Sequence, residues 1–155
     1  MLFRSLDAVT RAVQAEVARH EGTFHRVIVD DKGTNMLCVW GVPGCSHEDD
    51  AVRALATALA LPEILHAHGC TGGIGIASGR ALCGPAGGGR RFEYTVVGDT
   101  VNLAARLTGA GTPGMVCMTA TVRAQLGDRV EAVDGGQRHL KGKGDVHVFE
   151  VASVR

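Results

Sequence analysis

The sequence predicts an α+β domain, a mainly antiparallel sheet with helices packed on one face. Three observations carry this. Apolar stripes of helical period alternate with paired β-rich runs, glycine-containing polar turns separate the members of a pair, and 155 residues make one core but not two. A hydrophobic share of 45% beside 21% charged residues is ordinary for a globular chain.

In chain order, Ser5 is the expected N-cap of a first helix. Its stripe is Leu6, Val9, Val13 and Val17, and Gly22 is its expected C-terminal stop. The runs TFHRVIV and MLCVWG flank DDKGTN, which predicts a hairpin. Ser46 with Asp49 is a capping-box-like start for a second helix, through AVRALATALALPEILHAHG, where Pro62 predicts a kink or break. TGGIGIASGRALCG is an apolar strand pattern interrupted by glycines, followed by the short connection GPAGGGR and the strand FEYTVVG. A third helix is expected over Thr100 to Leu107. GMVCM, TATVRAQLG and HLKGKGDVHVFEV then predict a short strand, a short helix and a turn into a final strand.

Several function classes fall away early. Lys+Arg and Asp+Glu are 16 each, so the formal charge is zero, which argues against nucleic acid or an anionic membrane as the main partner. Five scattered cysteines without a CxxC pair argue against a disulfide framework or zinc ribbon and point to a reducing, cytoplasmic setting. Neither a membrane span nor a leader peptide is read from the chain. GGIGIASG lies in a strand pattern and opens no helix, so it reads as close backbone packing rather than a dinucleotide loop. His66, His68 and Cys70 end a helix without sharing a face, so they read as a solvated helix end rather than a metal site.

VGDTVNLAARL is different. Asn102 and Arg106 share one helical face at i and i+4, while Leu103 and Leu107 form an adjacent apolar pair. No acidic residue stands one turn from Arg106 on that helix, and an anion such as phosphate would satisfy its guanidinium. An exposed polar face remains the alternative. In LKGKG, Lys141 and Lys143 offer further positive groups to a phosphate chain, with a solvated turn as the alternative.

EYTVVGDTVNLAARL resembles the signature of class III nucleotide cyclase homology domains. The resemblance extends in consistent order through DDKGTNMLCVWGVPG, GIGIASGRALCG and LKGKGDVHVFEV, from Arg11 onward. DKGTNMLCVWGVPG is especially similar to the second catalytic half of the bicarbonate-responsive soluble adenylyl cyclases. The resemblance implies a ferredoxin-like sheet, and an active site shared between two such domains that converts ATP or GTP to the 3′,5′-cyclic nucleotide and pyrophosphate. It implies that Asn102 orients the ribose, Arg106 stabilises charge on the α-phosphate and Lys141 contacts the terminal phosphates. Arg26 and Thr95 stand at the base-recognition positions, where Thr favours ATP and Arg replaces the usual Lys.

The family binds two Mg²⁺ or Mn²⁺ ions through paired Asp residues, one in a first strand of the type FxDxxGFT and one in the hairpin. Here the hairpin reads Gly33-Thr34-Asn35, with Thr34 in the Asp place, and Asp30 and Asp31 fall in the turn. The expectation is therefore one domain, 1–155, of the metal-free second-half type. ATP is its ligand, and its partner is a second cyclase homology domain carrying the metal-binding aspartates. A nucleotide-binding regulatory pseudo-cyclase and a structural module remain alternatives. The first central strand is not found in the sequence, so either the chain is a fragment of a longer polypeptide or another segment fills that place.

Overall fold

The computed structural model describes residues 2–31, 33–86 and 93–155. The predicted connection GPAGGGR lies outside the described residues from position 87 onward.

Helix α1 (Leu2–Arg19) starts ahead of the predicted cap, so Ser5 lies inside it; Leu2, Phe3 and Arg4 carry no helix breaker to stop it there. The stripe behaves as predicted: Val9, Val13 and Val17 are buried against Phe24, Met36, Trp40 and Leu61. The C-terminal stop differs in detail. Gly22 N–H reaches Val17 O at 2.9 Å and Glu21 N–H reaches Ala18 O at 3.0 Å, a Schellman pattern whose left-handed residue is Glu21 (φ 56°). Gly22 is needed for a different reason, since a Cβ there would stand 2.5 Å from the Trp40 ring.

Strands β1 (Thr23–Asp30) and β2 (Gly33–Val39) form the predicted hairpin, closed by the Asp30–Gly33 pair. Helix α2 (Asp50–Ala67) continues through Pro62 without a break. At its start the Asp50 carboxylate accepts from His47 N–H at 3.0 Å and from the Ser46 hydroxyl at 3.4 Å. Strands β3 (Ile74–Ile76) and β4 (Leu82–Ala86) divide the glycine-interrupted run between two sheets, and β5 (Glu93–Val97) pairs antiparallel with β4. Helix α3 (Asp99–Leu107), strand β6 (Val116–Thr119) and helix α4 (Ala120–Leu126) follow.

The remaining strands are β7 (Val130–Leu140) and β8 (Gly144–Val154). The sequence reading did not assign β7. Asp134-Gly135-Gly136 breaks its alternation with a bulge, where Gly136 takes φ 71° and Asp134 Oδ1 accepts its N–H at 2.7 Å.

The fold is α+β, as predicted. The central sheet runs β3-β6-β8-β7, antiparallel except for the parallel β3–β6 pair, and the β1–β2 and β4–β5 pairs stand apart from it. Among the described residues β2 pairs only with β1, and β3 only with β6. A cavity of 1910 Å³ is lined by both edges, through Met36 and Ile74, and also by Val13, Leu61, Arg26 and Asn102. The cavity thus lies between the β1–β2 pair and the central sheet. The main core joins Leu55, Ile74, Met118, Val122 and Leu126 between α2, α4 and the sheet.

Candidate active site

Helix α3 is held by contacts that admit almost no side chain. Its N-cap is Gly98 at φ 149°, a backbone angle few other residues adopt. A Cβ at Gly73 would lie 1.6 Å from Thr108 O, and one at Gly75 would lie 2.6 Å from Ala104 O. The two glycines of GGIGIASG are therefore where the helix backbone rests on the start of the central sheet. The Thr100 hydroxyl fixes the other end by donating to Arg80 O at 2.9 Å. Leu107 is 0% exposed in a cluster with Cys117, Leu140 and Val148, and Leu103 packs against it.

Burying that face leaves the adjacent one outward. Asn102 and Arg106 are both exposed, one turn apart. Arg106 forms no ion pair among the described residues. Its cation stands at the C-terminal end of α3, where it is favourable to the helix dipole but makes no use of its planar donor fork.

The strands of Arg26 and Thr95 are joined through a neighbour that the sequence gave no reason to notice. The β1–β2 register skips a residue between Phe24 and Arg26, leaving His25 unpaired with β2. Its Nε2 accepts from Val96 N–H on β5 at 3.4 Å, so the strand carrying Arg26 is tied to the strand carrying Thr95. Arg26 is exposed and, like Asn102, lines the cavity. Thr95 is half-buried and donates its hydroxyl proton to Gly84 O at 3.3 Å, which leaves its oxygen as an acceptor. Arg106, Thr95 and Lys141 are not among the cavity-lining residues.

Lys141 is exposed in the turn between β7 and β8. That turn is joined to α3 by Lys143, whose Nζ lies 2.8 Å from Asp99 Oδ1. The ammonium beside Asp99 holds that carboxyl below its usual range. The structure therefore ties β1, which carries Arg26, to β5, which carries Thr95, and places Asn102, Arg106 and the Lys141 turn on or against α3.

Metal donors are a different matter. Thr34 is exposed and pairs with Val29, Asp30 ends β1, and Asp31 lies in the turn. Among the described residues no group of three or more His, Cys, Asp or Glu side chains converges to hold an ion. Thr34 brings a neutral hydroxyl, a weaker ligand for a hard divalent cation than a carboxylate. At the end of α2, the His68 ring bonds Ile64 O at 2.8 Å and the Cys70 thiol donates to His68 O at 3.6 Å, both local contacts of a helix terminus.

The sequence profile of the adenylate and guanylate cyclase catalytic domain matches residues 12–153. An uncharacterized protein of Mycobacterium tuberculosis is 41% identical over 117 residues, 66% of this chain and 20% of that protein. Adenylate cyclase type 10 of Homo sapiens is 42% identical over 89 residues, 56% of this chain and 6% of that enzyme. The chain thus spans a fifth or less of the length of these relatives. In structure it is similar to the guanylate cyclase domain of Catenaria anguillulae solved with GTP, with a TM-score of 0.83 at 20% identity, covering 99% of this chain and 85% of that one. At that identity the likeness speaks for the fold. Among the described residues no helix is long and apolar enough to cross a membrane.

Proposed function

The chain belongs to the adenylate and guanylate cyclase catalytic domain family, and from that premise we propose that residues 1–155 act as the metal-free half of a composite adenylyl cyclase site. The reaction is formation of 3′,5′-cyclic AMP and pyrophosphate from ATP. The second half is a cyclase homology domain carrying the metal-binding aspartates, and Mg²⁺ or Mn²⁺ is held there.

One observation carries the reading. Asn102 and Arg106 are exposed on the outer face of a helix whose inner face is fixed to the sheet by Gly73, Gly75 and Leu107. A helix so held, presenting an amide and a guanidinium that has no ion-pair partner among the described residues, suits a ribose and the phosphate attached to it. In this reading the Asn102 side chain orients the sugar. The Arg106 N–H groups donate to oxygens of the α-phosphate, where negative charge grows as the ribose 3′-hydroxyl attacks. Donors already in place at that point lower the barrier most. Lys141 neutralises the terminal phosphates. Arg26 and the Thr95 oxygen, on strands joined by the His25–Val96 bond, face the base in this reading, and Thr supports ATP over GTP.

The test is Arg106→Ala in the chain assembled with a metal-bearing cyclase domain. The proposal expects cyclisation to fall by about 100-fold or more, the scale of one lost transition-state donor, with ATP binding largely kept. An assembly that binds ATP and is indifferent to the substitution would favour a regulatory pseudo-cyclase. One that binds no nucleotide would leave a structural module.

A further inference from the structure

Lys143 was legible in the sequence only as a second lysine beside Lys141, yet the two occupy different environments. The Lys143 side chain is 17% exposed and engages Asp99, whereas Lys141 is exposed. The turn between them is tightly specified. Lys143 N–H bonds Leu140 O at 2.9 Å, and Gly142 at the third position takes φ 77°. No positive φ falls on Lys141, so the geometry is a type II turn with Lys141 at its second position.

This turn is fastened to α3 at both ends of the helix. Leu140 is buried in one cluster with Leu107 of the last helical turn, and Lys143 pairs with Asp99 of the first. The apolar contact fixes the position of the hairpin end against the helix. The ion pair, whose Asp99 side chain is 97% exposed, adds a second attachment at the other end of the helix. Lys141 lies between these anchors and forms no hydrogen bond or ion pair among the described residues.

We propose that Lys143 and Asp99 are a positioning pair for Lys141, setting its ammonium on the side of α3 that presents Arg106. The pair does not touch the nucleotide; it acts through Lys141. The proposal rests on the reading of Lys141 and Arg106 as phosphate-binding groups. Asp99 also has a consequence opposite in sign to simple electrostatics. Removing a carboxylate near a polyphosphate site should tighten ATP binding if charge alone matters. If Asp99 holds the turn in place, its removal weakens binding instead.

The experiment titrates ATP and AMP, with Mn²⁺, into the chain assembled with a metal-bearing cyclase domain. The variants are Lys141→Ala, Lys143→Met, the double variant, Lys143→Arg, Asp99→Ala and Arg106→Ala. Lys143→Met and Asp99→Ala are each expected to weaken ATP binding by about two- to fivefold, the scale of an ion pair with an exposed partner, and to leave AMP unmoved. Lys143→Arg retains a partner for Asp99 and restores ATP affinity. The double variant should bind no more weakly than Lys141→Ala alone, because Lys143 has nothing left to position. Additive losses at Lys141 and Lys143, or tighter ATP binding by Asp99→Ala, would overturn the pair as a positioning device. A wild-type assembly that does not prefer ATP to AMP, or in which Lys141→Ala and Arg106→Ala change nothing, would overturn the phosphate-site reading itself. Should Asp99→Ala fail to fold, the comparison of Lys143→Met with the double variant still decides.

Discussion

Substituting Gly75 by alanine puts the placement of helix α3 under direct strain. An ideal Cβ there would lie 2.6 Å from Ala104 O, 2.6 Å from Leu107 Cβ and 3.1 Å from Thr108 N. Ordinary contact needs about 3.5 Å, so α3 must retreat from β3 by about 1 Å. Two of the three obstacles are backbone atoms that no rotamer change can move. Overpacking of this kind destabilises by about 1–3 kcal/mol, which lowers the melting temperature by roughly 2–12 °C for a domain this size. The same displacement carries Asn102 and Arg106 with it, and about 1 Å of misplacement can reduce turnover by about 100-fold. Gly109→Ala is the control, since among the described residues beyond its chain neighbours the nearest atom to its added carbon is Arg106 O at 4.0 Å. Thermal unfolding and a cyclase assay on the assembled pair read both effects. If Gly75→Ala matched wild type in melting temperature and turnover while Gly109→Ala did too, α3 would not rest on β3 as described, and the reasoning from glycine to site geometry would fail.

Three further outcomes are expected. His25→Phe removes the acceptor of Val96 N–H and should destabilise by about 1–3 kcal/mol, the range for a donor left unsatisfied. It should also raise the KM for ATP more than it lowers kcat, whereas an unchanged KM would separate the base site from this contact. The second outcome concerns acid. Gly136 N–H and His147 hold Asp134 below the usual carboxylate range, Lys143 does so for Asp99, and Arg155 and Ser153 for Glu131. Their folded values lie below the unfolded value of about 4, so the unfolded chain binds protons first on acidification. This stabilisation is present above about pH 4 and lost as pH falls through the folded values. Urea midpoints between pH 6 and 3 should decline less steeply for Asp134→Ala than for wild type, and equal slopes would count against it. Third, burial pushes the Cys38 thiol up to about 11, so under native conditions at pH 8 it should be alkylated later than half-buried Cys45, as mass spectrometry of the labelled protein can establish.

Much of this architecture could be read locally because the signals are local. The Val9-Val13-Val17 stripe, the hairpin around Asp31 and the helix after Gly98 each follow from residues a few positions apart. Gly73 and Gly75 announced a close backbone approach, but nothing in the sequence said that α3 was the partner. What escaped was either masked or remote. The bulge at Asp134 and Gly136 hid an eleven-residue strand by breaking its alternation. Glu21 took the left-handed position beside an available glycine because Trp40 occupies the space over Gly22. The contacts that organise the site join His25 to Val96 and Lys143 to Asp99, pairs separated by 71 and 44 positions. No periodicity or turn rule reaches that far. Asn102 and Arg106 were legible because a helix itself sets their separation. The fixing of Lys141 was not, because it depends on a hairpin folding back along that helix.

The most direct measurement is cyclic AMP formation from ATP and Mn²⁺ by the purified chain, first alone and then mixed with a metal-bearing cyclase domain. A site that brings Asn102 and Arg106 but places Thr34 where a carboxylate is needed should yield no product alone and turnover on mixing that Arg106→Ala abolishes. Sustained product from the chain by itself would mean that its own side chains hold the cations, contradicting the division of labour proposed here.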